Sequence, residues 1–104
     1  MIQAKYTAEA WSAMSQKPED RTIAINKLLS ALEGRLLHIY FAYGDFDVMV
    51  IFEMPDAIAA HSTFIAAFAA GHISDVKMTQ LLTGQEAMAA MQKAGELTYD
   101  RPKR

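Results

Sequence analysis

The sequence contains no cysteine. That excludes disulfides, thiolate-bound metals, iron–sulfur clusters and a cysteine nucleophile together. With no mark of an oxidising compartment, a cytoplasmic location is expected. No apolar run approaches the roughly 18–20 residues of a membrane span, so no membrane partner is expected. Met1 to Lys5 has no basic stretch leading into an apolar one, so no signal peptide is expected. Neither sign of charge dominates: 10 Lys and Arg stand against 12 Asp and Glu, a net charge of −2. Such a chain lacks the dense basic surface that grips nucleic acid. It also lacks a phosphate-binding glycine loop, a dinucleotide fingerprint and a nucleophile elbow. His38, His61 and His72 do not fall at metal-ligand spacing, so no metal site is expected. A single histidine leaves haem open, and the cofactor, if there is one, is unknown.

What remains is 104 residues, 52% hydrophobic and 21% charged, the composition of one globular domain. Residues 1–95 form the expected domain, and 96–104 a polar C-terminal tail with Pro102, Arg101, Lys103 and Arg104. A domain of this size buries only about two-thirds of its unfolded surface. One copy therefore has little room for both a core and an enclosed site.

The periodicities predict the elements. Ile2, Ala4 and Tyr6 alternate with Gln3 and Lys5, an opening strand. Thr7 caps a helix over Ala8 to Met14, interrupted by the polar stretch Ser15 to Asp20 with Pro18. From Arg21 the spacing of Ile25, Leu28, Leu29 and Leu32 is helical, and Gly34 stands where a terminating glycine belongs. Arg35 to Tyr43 and Phe46 to Glu53 form a hairpin about Gly44-Asp45, expected as a two-residue type I′ or II′ turn. Tyr43 opposite Phe46 then pairs Phe41 with Val48, Ile39 with Val50 and Leu37 with Phe52 on one apolar face. The other face pairs Ala42 with Asp47, Tyr40 with Met49, His38 with Ile51 and Leu36 with Glu53. Pro55-Asp56 opens a further helix with an inward stripe of Ile58, His61, Phe64, Ile65 and Phe68, ended by Gly71. Ile73 to Leu82 is the last strand. Thr83 and Glu86 form a capping box for a short helix ending at Gly95.

This order is α+β: a ferredoxin-like βαββαβ plan, a four-stranded antiparallel sheet with helices on one face, plus a short C-terminal helix. The second sheet face, with Leu36, His38, Tyr40, Met49 and Ile51, is too apolar for water. A second copy, sheet against sheet, would cover it and make a dimeric α/β barrel.

Tyr6-Thr7, Gly34-Arg35-Leu36, the run from Tyr40 to Val48, Glu53-Met54-Pro55-Asp56 and Ala70-Gly71 together resemble the GYD domain family over roughly residues 5 to 95. Gly44, Phe46 and Asp47 carry the most specific part. The chain departs from the pattern at Phe46, in place of the tyrosine that names the family, and at Ala10, where a glycine is expected. The family is largely uncharacterised. The resemblance implies the dimeric α/β-barrel fold, a group that holds cofactor-free monooxygenases, haem-binding enzymes, isomerases and ligand-sensing domains, so the fold does not decide the function.

Asp47 is expected on the barrel side, as a general base or as a cap of the hairpin turn. His38 and Tyr40, with Asp47 and Glu53, make either an acid–base cluster or an aromatic dimer seam. His61 on the apolar stripe is an axial ligand or, more commonly, a core residue, and His72 is an exposed loop residue. Trp11 and seven methionines fill the core or line a flexible pocket. The leading expectation is a homodimer binding a small apolar or aromatic ligand through Leu36, His38, Tyr40, Asp47, Met49, Ile51 and Glu53. The alternatives are a cofactor-independent isomerase or monooxygenase, with Asp47 as base and His38 and Tyr40 orienting the substrate, and a purely structural oligomer subunit.

Overall fold

Ile2, Ala4 and Tyr6 turn to one side of the first strand and are buried there, which makes β1 (Ile2–Tyr6) the spine of the core. The computed structural model describes residues 1–102, so Lys103 and Arg104 of the expected tail lie outside the described residues. The Thr7 side chain accepts the Ala10 amide and starts α1 (Ala8–Gln16). Asp20 does the same from Thr22 for α2 (Arg21–Ala31). There follow β2 (Arg35–Phe41), β3 (Val48–Glu53), α3 (Ala57–Ala69) capped by Asp56, β4 (Ile73–Met78) and α4 (Gly84–Gly95). Thr83 and Glu86 form the expected capping box on α4.

The sheet is antiparallel with strand order β2-β3-β1-β4, the ferredoxin-like arrangement. Its rows run across all four strands. Ile39, Val50, Ile2 and Met78 lie side by side, as do Phe41, Val48, Ala4 and Val76, and these rows face the helices. The row between them, Tyr40, Met49, Gln3 and Lys77, faces away. α2 packs over β2 and α3 over β4.

Four expectations are corrected. The pairing of His38 with Ile51, Ile39 with Val50, Tyr40 with Met49 and Phe41 with Val48 is as predicted, but a bulge at Leu37 shifts what precedes it. Leu36 therefore pairs with Phe52 and packs against the core, and Leu37 is exposed. Two adjacent leucines make either register equally apolar. The bulge also brings Arg35 opposite Glu53, 2.9 Å apart.

The hairpin turn is not a two-residue turn. The Ala42 amide donates to the Asp47 carbonyl at 2.8 Å, enclosing the four residues 43–46. Among the described residues only Glu33 and Gly71 have positive φ, so Gly44 does not supply the left-handed geometry of a I′ or II′ turn. Tyr43 is fully exposed rather than paired in the sheet.

The third correction concerns α3. Its inward side is Ala59, Ala60, Thr63, Phe64 and Ala67, whereas Ile58, His61, Ile65 and Phe68 are exposed. The helix is apolar nearly all round, so spacing alone does not say which side faces the sheet. Thr63 is buried because its hydroxyl donates to the Ala59 carbonyl at 3.1 Å.

Finally, β4 stops at Met78, leaving Leu81 and Leu82 exposed. Beyond it α4 buries no residue. The radius of gyration is 17.6 Å, against about 13 Å for a compact chain near this length.

Candidate functional site

Asp47 follows the hairpin loop, just outside β3. Its Oδ2 accepts the Tyr6 amide at 2.9 Å and the Trp11 indole N–H at 3.3 Å. Its own amide donates to the Ala4 carbonyl at 2.9 Å. The carboxylate thus extends the β1–β3 ladder past Val48 and ties it to α1. It caps β1 from the side, where the sequence suggested the amides of its own turn or an open barrel side.

His38 and Tyr40 do lie together on the outer face, their rings stacked with centroids 6.1 Å apart. Met49 and Ile51 stand opposite them on β3. Gln3, Lys5, Asp75 and Lys77 occupy the β1–β4 side, so only the β2–β3 half of this face is apolar. Glu53 is exposed and paired with Arg35. Leu36 leaves the group for the core side. The seven expected residues therefore separate into an outer aromatic–apolar patch, a structural carboxylate, an edge ion pair and a core leucine. His61 is exposed, its Nδ1 2.8 Å from the Ala57 carbonyl, which also corrects the core assignment. Trp11 packs edge-on to Tyr6, with centroids 5.4 Å apart.

The concave site lies on the other face. Because the two helices sit over the edge strands, a slot of about 200 Å3 opens between them above β1 and β3. Its floor is Ile2, Ala4, Val48 and Val50; its walls are Ala24, Ile25 and Leu28 of α2 and Thr63, Ala66 and Ala67 of α3. The small side chains of α3 keep the walls apart. A second cleft of about 310 Å3, lined by Ala10, Ala13, Met14, Lys17 and Glu19, adjoins it, and Arg21 and His72 line both.

At that junction Tyr6, Arg21 and His72 form a polar cluster. The Tyr6 and His72 rings stack, centroids 6.2 Å apart. Arg21 Nη1 donates to Glu19 Oε1 at 2.6 Å. Burial pushes the Tyr6 phenol above its ordinary value, while the Arg21 guanidinium beside it works in the opposite sense. His72 is half-buried, not the exposed loop residue expected. Sequence reasoning missed this cluster. Its members belong to three separate segments, and the sole local signal was Tyr6 continuing the buried side of β1.

The GYD domain model matches residues 1–91 of the chain. The chain belongs to the GYD domain family. No curated protein and no solved structure matches it. In this GYD domain Phe46 closes the hairpin loop and is half-buried. Among the described residues no group of three or more His, Asp or Glu is placed to hold a metal ion, and no helix is long and apolar enough to cross a membrane.

Proposed function

We propose that this GYD domain binds a small apolar molecule in the slot between α2 and α3 and works as a homodimer joined through the outer sheet face. The slot carries the binding reading. Protein interiors seldom leave voids much larger than a water molecule, and apolar pockets with a few convergent polar groups are the usual small-molecule sites. Here an apolar space of about 200 Å3 ends on Tyr6, Arg21 and His72. Asp47 as a catalytic base fits less well, since its carboxylate is already engaged by Tyr6 and Trp11.

The test is an amide NMR titration with 1-octanol. Shifts clustering at Ala24, Val48 and Ala67, and abolished by Ala67→Leu, support the slot. Shifts at His38, Tyr40, Met49 and Ile51 would instead place the pocket at the sheet seam. No shifts at millimolar probe would sink both.

The dimer rests on a separate observation. Tyr40 is exposed on the outer face opposite Met49, with His38 opposite Ile51 next to it, and exposed apolar patches of this kind mark association surfaces. Light scattering after size exclusion is expected to give twice the chain mass, reduced to the monomer by Tyr40→Glu. A wild-type monomer at micromolar concentration overturns it.

A further inference from the structure

We infer that the ligand of the slot is an apolar monocarboxylate, its tail between α2 and α3 and its carboxylate on Arg21. This rests on the proposed slot and adds the chemical class of what enters it. Among the described residues lining the slot, Arg21 carries the only formal charge. It sits where the apolar walls end and the adjoining cleft begins. The site is thus apolar along its length and cationic at one end.

Arg21 already holds a carboxylate in this position, that of Glu19 at 2.6 Å. The Arg21 side chain is 24% exposed and that of Glu19 is 58% exposed. A pair open to solvent on one side is weak, and the exposed Glu19, in the segment between α1 and α2, can exchange the guanidinium for water at little cost. An incoming carboxylate with its tail in the slot would meet the guanidinium in a drier place, where a forked charge-assisted pair is stronger. The Tyr6 hydroxyl lies beside the same guanidinium. A phenol carries its proton at neutral pH, so this hydroxyl is available to donate to the ligand. An amine would face Arg21 with like charge. An alcohol would gain the apolar burial without the ion pair. The slot is smaller than the roughly 300–1,000 Å3 of drug-sized pockets, which suits a medium-chain or single-ring acid.

The test compares affinities of octanoate, 1-octanol and octylamine, and of 3-phenylpropanoate with 3-phenylpropanol, by NMR titration of the full chain. The acids are expected to bind about tenfold or more tightly than the matched alcohols, with octylamine weakest and the acid preference shrinking as salt rises. Arg21→Gln is expected to bring the acid-to-alcohol ratio near one. Should that variant fail to fold, Glu19→Gln serves instead, since removing the competing carboxylate tightens octanoate and leaves 1-octanol unchanged. A wild-type ratio near one, or a preference that survives Arg21→Gln, overturns the carboxylate assignment and leaves the slot standing. If neither acids nor alcohols bind, the slot reading itself falls.

Discussion

The Asp47 carboxylate accepts the backbone amide of Tyr6 at 2.9 Å across 41 positions of sequence. At that point β1 has passed the last of its paired β3 residues, Val48, so the side chain supplies an acceptor that the ladder does not. Asp47→Ala leaves the partly buried amide and the Trp11 indole without this acceptor. The expected loss is about 1–3 kcal/mol, read as a lower urea midpoint at unchanged slope. Asp47→Asn keeps an acceptor oxygen and is expected to lose less. Equal stability of Asp47→Ala and wild type would refute the role.

Gly34 is required by a close approach, not by its backbone angles. A Cβ at this position would lie 2.8 Å from the Glu53 carbonyl oxygen and collide with the Met54 sulfur. The Met54 side chain can move; the backbone oxygen cannot without disturbing β3. Gly34→Ala is expected to cost about 1–3 kcal/mol, in the range for overpacking. Gly44, with nothing within 4 Å of its would-be Cβ, is the control: Gly44→Ala should stay within about 0.5 kcal/mol of wild type. Chemical denaturation of both variants decides it.

The turn after α2 places strain one residue earlier than the glycine. The Gly34 amide donates to the Leu29 carbonyl and the Glu33 amide to that of Ser30, a Schellman ending with Glu33 in the left-handed position at φ 61°. Glycine is the usual occupant there. Glu33→Gly is expected to stabilise the domain by about 0.5–1 kcal/mol despite the greater freedom of the unfolded chain. A fall in the denaturation midpoint would contradict this.

Tyr6 gives the molecule a pH signature. Its phenol titrates above the ordinary value of 10.0, pushed up chiefly by burial. The folded state therefore keeps its proton at pH values where the unfolded chain has lost it. The associated stability is complete below the unfolded pKa and is lost as pH rises from there through the folded one. The difference in unfolding free energy between wild type and Tyr6→Phe is expected to be flat below pH about 9 and to move against wild type above about 10. A flat difference throughout would overturn the burial argument.

Much of the fold is legible in the chain because its signals act over short distances. Thr7, Asp20, Asp56 and Thr83 each cap their helix through an amide two or three residues on. Alternation in Phe41 to His38 and Val48 to Ile51 sets the hairpin register, as a one-residue slip would exchange its two faces. The site was far less legible. Of the residues expected to form it, His38, Tyr40, Met49 and Ile51 share one face, with Glu53 farther along it in an ion pair with Arg35, while Leu36 and Asp47 go elsewhere. The adjacent leucines at 36 and 37 permit a bulge that no alternation reveals.

Element order, helix starts, the central hairpin pairing and the family features are thus written in local patterns, where each residue answers to neighbours a few positions away. The facing of α3, the partners of Asp47, the projection of α4 and the slot ending on Tyr6, Arg21 and His72 are settled only by packing. They depend on contacts between segments far apart in sequence, and an alanine-rich helix that is apolar on every side takes its orientation from what it meets.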